Sequence, residues 1–284
     1  MTYANPEALV ETDWLAQHVQ DPAVAIIEVD EDTEAFAGGH IPGAVPLDWK
    51  RDLAAAPRRD FITAADLASL LAARGISDKQ KIVLYGGNNN WFAAYAFWLF
   101  RYRGLENVSL LNGGRIKWEL EDRPLTTMTT APDGSATFAP GEDRPSIRAF
   151  RDDVVARARD GGGALIDVRS PAEFSGEVLA PPHLPGEQPY VPGHVPGAAN
   201  VPWSKTANED GSFRSRTELA DIYADAGIGP DQPVITYCRI GERSSHTWFV
   251  LTQLLDFPNV ANYDGSWTEY GSLVDVPVAL GSAA

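Results

Sequence analysis

The chain carries a single cysteine and two methionines, and no apolar run approaches the roughly 20 residues that span a bilayer. One thiol excludes an internal disulfide and every metal site built from two or more cysteine ligands. The histidines (His18, His40, His183, His194 and His246) are dispersed, with no pair at the helical spacing that would hold an ion. Neither a metal nor a cofactor is expected. Positive charge is scarce as well: 23 Lys and Arg stand against 39 Asp and Glu, a net charge of -16. A nucleic-acid partner would call for clustered cations, so none is expected. The first residues, 1–7, have neither the basic start nor the apolar stretch of a secretory signal, which points to a cytoplasmic protein with no membrane partner.

What is present is a globular composition, 44% hydrophobic and 10% aromatic, over 284 residues, enough for one large or two medium domains. The acidic balance keeps such a chain soluble and carries a corollary. A small anionic substrate would be repelled by the surface, so its site must gather local positive charge.

The chain repeats itself. Phe36-Ala37-Gly38-Gly39-His40-Ile41-Pro42-Gly43-Ala44 returns as His194-Val195-Pro196-Gly197-Ala198. Each copy is preceded by an apolar stretch with acidic residues, 25–30 and 164–168, and followed by a tryptophan, Trp49 or Trp203. An amphipathic helix follows in each, 66–74 and 218–226, then Gly-Ile and a buried-type strand ending at Tyr85 or Tyr237. Later, Asn112-Gly113-Gly114 and Trp118 answer Asp264-Gly265-Ser266 and Trp267. A period this long means duplicated domains, not a solenoid. The segment between them, 126–144, is rich in Thr, Pro, Gly and Ala without periodicity and reads as a linker. The domains are placed at 1–125 and 147–284, with 126–146 joining them. Strands too apolar to have a wet face alternate with helices such as 91–101 and 244–255. The fold class is therefore α/β, two domains each with a parallel sheet flanked by helices. Ligands in such sheets bind beyond the carboxyl ends of the strands.

Cys238 stands at such an end. It follows the strand directly and opens Cys238-Arg239-Ile240-Gly241-Glu242-Arg243, ahead of a helix from about Ser244. The helix dipole, converging backbone N–H groups and the cations Arg239 and Arg243 favour a thiolate there, and Glu242 opposes them. A lone cysteine is often just a small buried hydrophobe; the charged neighbours and permissive Gly241 argue for a reactive one. Arg239 and Arg243 form a cationic cradle, with the Arg243 fork reaching back over the sulfur. Ser244 and Ser245 read as helix caps. His246, inside the helix, is disfavoured as a general base for the cysteine. Arg169 and Glu173, four apart, suggest an ion pair bracing the neighbouring loop, with Asp167 in the same brace.

These features resemble the rhodanese family, in its tandem-domain thiosulfate sulfurtransferases. Phe36-x-x-x-His40-Ile41-Pro42-Gly43-Ala44-x-x-Leu47, and again Tyr190-x-x-x-His194-Val195-Pro196-Gly197-Ala198, resemble the amino-terminal signature; 260–270 resembles the carboxy-terminal one. The resemblance implies that Cys238 attacks the outer sulfur of thiosulfate, releases sulfite and carries the sulfur as a persulfide. Cyanide or a thiol then accepts it, in a double displacement. It implies binding of the anionic donor by the loop, Arg239, Ile240, Gly241, Glu242 and Arg243, with Asp167, Arg169, Glu173 and Ser244 in support. It also implies an inactive first domain, in which Gly86 stands at the place of Cys238 and which supplies a wall of the cleft.

Two departures bear on the donor: Glu173 occupies the place of a family arginine, and Ile240 that of a lysine frequent in thiosulfate-specific members. Mercaptopyruvate is the rival donor, but its enzymes place a small residue where Arg239 stands. Phosphatases of this fold carry their arginine six positions after the cysteine, whereas Arg243 is five after. A non-catalytic binding module is the remaining alternative, disfavoured by the intact loop. The sequence indicates no protein partner, and no role for the insert 175–193.

Overall fold

The computed structural model describes residues 2–30, 34–55, 60–129, 134, 136–180 and 188–281. His183 and the middle of the 175–193 insert lie outside the described residues. The chain divides into two compact units. One runs from Pro6 to Arg144 and includes 209–213; the other holds the residues up to Asn5, 145–208 and everything from Arg214 onward. The segment read as a linker is tied to the first unit along its described length. His40 and Thr126 exchange backbone hydrogen bonds, Arg103 pairs with Asp143, and the Arg144 N–H donates to Tyr102. The division by contacts thus falls between Arg144 and Pro145 instead of leaving a free connector.

In chain order the amino-terminal unit comprises β1 (Leu9–Val10), α1 (Thr12–His18), β2 (Val24–Asp30), α2 (Glu34–Gly38), β3 (Val45–Asp48), α3 (Trp49–Leu53), β4 (Ala54–Ala55), β5 (Asp60–Phe61), α4 (Ala64–Ala73), β6 (Lys81–Tyr85), α5 (Trp91–Tyr102), β7 (Val108–Leu111) and α6 (Gly114–Leu120). Its parallel sheet has the order β1-β7-β6-β2-β3. The carboxy-terminal unit comprises α7 (Arg151–Asp160), β8 (Ala164–Asp167), α8 (Pro171–Ser175), β9 (Ala199–Asn200), α9 (Arg216–Asp225), β10 (Val234–Tyr237), α10 (Glu242–Phe249), β11 (Val260–Tyr263) and α11 (Ser266–Tyr270). Its sheet, also parallel, runs β11-β10-β8-β9. The expected α/β class is found in both units. Among the described residues no helix is long and apolar enough to cross a membrane.

The central strands are buried on both faces, as their unbroken apolar runs require: residues 82–85 of β6 and 234–237 of β10 have no exposed position. Helix starts are written in the sequence. Thr63 with Asp66, Ser170 with Glu173, and Ser215 with Glu218 each form a reciprocal capping box, which satisfies amide groups that the first turn leaves open. Each core closes around a tyrosine at the end of its central strand. The Tyr85 hydroxyl accepts from Ile41 N–H at 3.0 Å, and that of Tyr237 from Val195 N–H at 3.1 Å.

One equivalence read from the sequence changes. His40 stacks on Phe36 and faces its carbonyl through Nδ1 at 2.9 Å. His194 makes the same stack and the same contact, 2.8 Å, with Phe174. Phe174, on α8, is therefore the counterpart of Phe36, and Tyr190 is a solvent-exposed residue beyond it. The insert parts an aromatic–histidine pair that is contiguous in the first copy. Likewise α6 and α11 align so that Trp118 matches Tyr270, and Trp267 matches Arg115.

Candidate active site

Between β10 and α10 the chain turns within 238–241, and the helix begins at Glu242, two residues earlier than the sequence suggested. Glu242 and Arg243 thus sit in the first helical turn. Gly241 makes so tight a return possible: its φ is +105°, and a Cβ there would lie 2.9 Å from the Asp264 Cα. The turn is held from below. Its Gly241 carbonyl accepts from the Ser244 and Ser245 hydroxyls, 3.1 and 2.8 Å, and from the Asn262 amide. Both serines therefore donate to the turn, where the sequence had suggested helix caps.

Cys238 lies at the centre of this turn. Its own N–H donates to the Ser266 hydroxyl at 3.0 Å, and its carbonyl accepts from Trp267 N–H. Its sulfur accepts from Gly241 N–H at 3.1 Å and lies 3.5 Å from the Glu242 Oε2, to which the thiol can donate. The Ser266 hydroxyl is 4.0 Å from the sulfur but spends its proton on the Tyr263 carbonyl, 2.7 Å away. Ser266 was not singled out in the sequence as a site residue. The available signal was a serine where the first copy has Gly114, at a position that needs a left-handed backbone: φ is +53° at Ser266 and +55° at Gly114.

The electrostatics differ from the sequence expectation. The thiol is fully buried, and burial together with the Glu242 charge pushes its pKa up, against the lowering action of Arg243 and the backbone N–H groups of Ser244 and Gly241. Glu242 is raised too, chiefly by its own burial. Desolvation thus outweighs the dipole and the cations and favours the neutral thiol.

The Arg243 charge acts on the Cys238 sulfur, while the fork itself is engaged by a carboxylate. It forms a two-pronged ion pair with Glu173, 2.9 and 3.0 Å, in which both side chains are buried. Burial alone would raise the Glu173 carboxyl, but the Arg243 hydrogen bonds and charge hold it down at about 2. The anticipated Arg169–Glu173 pair is correspondingly absent. Arg169 turns to Asp167, with contacts of 2.6 to 3.1 Å, and to the Gly193 carbonyl. Geometry decides this: Arg169 follows β8 and points back at the strand's last carboxylate, stacking over the Trp267 ring at 4.9 Å. Glu173 is left facing α10. Arg239 and Ile240 are buried in the turn, and His246 lies fully buried in α10, edge-on to Trp203, where desolvation takes its pKa down to about 3. That depression leaves the imidazole neutral.

A cysteine held at a parallel-strand terminus by a tight turn, above a helix amino terminus, is an arrangement for thiol chemistry on small molecules. The profile of the rhodanese-like domain matches this chain twice, over residues 11–121 and 151–273. A protein of Mycolicibacterium smegmatis, provisionally named thiosulfate sulfurtransferase, is 57% identical over 98% of this chain and all of its own length. The sulfur carrier protein TtuD of Thermus thermophilus is 51% identical over 99% of each chain. Among solved structures, the anaerobic ergothioneine biosynthesis enzyme from Chlorobium limicola, in complex with trimethyl histidine, superposes with a TM-score of 0.84 at 25% identity, covering 99% of this chain and 72% of its own. EanB carrying a cysteine persulfide, with ergothioneine, gives 0.83 at the same identity, covering 99% of this chain and 72% of its own. Two matched segments and full-length relatives above half identity settle the family: the chain belongs to the rhodanese-like proteins and is a sulfurtransferase with two rhodanese-like domains.

Proposed function

We propose that this sulfurtransferase takes the outer sulfur of thiosulfate onto Cys238 as a persulfide and passes it to cyanide or to a thiol. The observation that carries the reading is the Cys238 sulfur held within the β10–α10 turn, accepting the Gly241 N–H. The relatives provisionally named thiosulfate sulfurtransferases support the donor, and the persulfide captured in EanB supports the carrier state. In the first half-reaction the Cys238 thiolate attacks the outer sulfur; the S–S bond of thiosulfate breaks and sulfite leaves with the electron pair. In the second, the acceptor attacks the bound sulfur and the electron pair returns to Cys238. The turn's N–H groups offset the charge on the sulfur in both steps, and Arg239 faces the donor's sulfonate. Asp167, Arg169, Glu173 and Ser244 hold the turn and its surroundings in shape.

One observation favours mercaptopyruvate as a second reading. Glu173 neutralises Arg243, so the loop presents less positive charge than its sequence suggests, which suits a singly charged donor. Intact-mass spectrometry after each donor decides between them. Thiosulfate should add one sulfur to the wild type, removable by cyanide, and none to Cys238→Ser. Uptake by Cys238→Ser would remove the cysteine from its role, and uptake from mercaptopyruvate alone would replace the donor.

A further inference from the structure

The resting thiol poses a problem that the double displacement leaves open. Attack requires a thiolate, yet the sulfur is fully buried, so a proton it carries must go to a group already in place. Three kinds of polar group are described at the sulfur. The Gly241 and Ser244 N–H groups are donors only. The Ser266 hydroxyl is engaged on both sides, accepting from Cys238 N–H and donating to Tyr263. The third is the Glu242 carboxyl, 3.5 Å away, on the first turn of α10 and 4% exposed.

We infer that Glu242 is a catalytic residue, the proton shuttle of the sulfur cycle, taking the Cys238 proton during attack and returning it when the sulfur leaves. The inference rests on the reading of Cys238 as the sulfur carrier. In the first half-reaction the S–H bond breaks toward Glu242 Oε2. The sulfur–sulfur bond forms, sulfite departs with its electron pair, and the persulfide stands beside a protonated, neutral carboxyl. In the second, the acceptor attacks the outer sulfur, the electron pair returns to Cys238, and Glu242 gives its proton back. No proton has to be exchanged with solvent at either step, and the buried pair never carries two negative charges. That matters where few waters screen like charges.

The neighbours suit this task. Arg239 and Arg243 face the carboxyl from its own turn and helix and favour its charged form, while burial opposes them and favours its taking up a proton. From the packed elements, Glu173 of α8 is held on Arg243, and Asp264, whose backbone lies against Gly241, is held on Arg148 at 2.8 and 3.0 Å. Both acids are engaged by arginines, which leaves Glu242 as the carboxyl facing the sulfur.

The experiment is the donor half-reaction, read by rapid quench and intact mass across pH, for wild type, Glu242→Gln and Glu242→Asp. The wild-type rate should be level through neutral pH. Glu242→Gln should be slower by about 10² to 10⁴ near neutrality, the usual loss when a positioned base is removed. Its rate should climb with rising pH toward the wild-type level, as hydroxide replaces the missing base. Glu242→Asp should keep the level profile at reduced height. A Glu242→Gln rate equal to or above wild type would overturn the shuttle and leave Glu242 an opposing charge. A loss that neither high pH nor Asp restores would overturn it in favour of a structural role. Failure of the parent reading looks different: the wild type itself would then gain no sulfur at any pH.

Discussion

The two units build the same turn from different residues. At one offset along the chain, Gly86 answers Cys238, Asn90 answers Glu242, and Gly114 answers Ser266. The backbone is kept: Arg115 N–H donates to the Gly86 carbonyl at 3.1 Å, as Trp267 N–H does to that of Cys238 at 3.0 Å. The strand-end N–H is satisfied in both, by the Asn90 amide oxygen in one and the Ser266 hydroxyl in the other, each at 3.0 Å. With Asn90 filling the turn there is no room opposite it; a Cβ on Gly114 would lie 2.2 Å from the Asn90 Oδ1. In the second unit the hydroxyl takes over that hydrogen bond from α11, which releases the first residue of α10 to carry a carboxyl toward the sulfur. The comparison teaches that the unit with a glycine in place of the cysteine has a self-sufficient turn. Its residues 88–90 are three consecutive asparagines at positive φ, the residue type besides glycine best suited to that conformation.

The largest effect should come from the feature that the first unit lacks altogether. Trp91 stands at the place of Arg243, so no ion pair crosses that turn. Glu173→Ala removes the two-pronged ion pair of the buried Arg243 guanidinium and should cost about 3 to 5 kcal/mol, measured by denaturant unfolding. The pair also predicts an acid limb. With its pKa held near 2 in the fold against an ordinary 4.5, Glu173 contributes stability fully present above about 4.5 and lost as pH falls toward 2. Glu173→Gln should flatten that limb; an unchanged limb would place the acid sensitivity elsewhere.

A smaller effect is expected from forcing the first unit toward the second. Gly86→Cys puts a Cβ 2.3 Å from the Val29 carbonyl oxygen, a backbone atom that cannot swing aside. Overpacking of this kind costs about 1 to 3 kcal/mol. In a Cys238→Ser background the new thiol should take up no sulfur from thiosulfate. Persulfide formation there would break the comparison, showing that a thiol at that place is sufficient by itself.

Much of this was legible in the sequence, for identifiable reasons. Parallel-sheet burial leaves apolar runs, so β6 and β10 read clearly; tight turns at strand ends require particular residues, so Cys238 and its loop read clearly as well. What failed was side-chain partnership. Arg169 and Glu173 are correctly spaced for a helical pair, yet Arg169 precedes α8 and faces β8, a direction that spacing does not encode. The engagement of the Arg243 fork by Glu173 was missed because Glu173, 70 positions away, is invisible in a local reading. The thiol's raised pKa escaped because charge can be counted along the chain, whereas desolvation is a property of the assembled core.

The finest test of the comparison is an exchange of turns. Ser266→Gly installs the first unit's residue at a left-handed position where glycine is at ease, relieving strain of order 1 kcal/mol. It also deletes the acceptor of Cys238 N–H and the donor to Tyr263, bonds that contribute roughly 0.5 to 1.5 kcal/mol each. The opposing contributions should leave a net loss of about 1 kcal/mol, with slower sulfur uptake because Cys238 has lost its anchor. Adding Glu242→Asn supplies the amide that serves the first unit, in the place where Asn90 meets the Gly86 N–H. If the two turns are alternative solutions to one hydrogen-bonding problem, the double variant should be more stable than the sum of its single changes predicts. Its coupling should be at least about 0.5 kcal/mol, while sulfur uptake stays lost. Additive stabilities would mean that the new amide does not reach the Cys238 N–H, and that the resemblance of the turns ends at the backbone. Recovered stability with recovered uptake would be more damaging, since it would show that neither the hydroxyl nor the carboxyl is what sets the cysteine-bearing turn apart from the other.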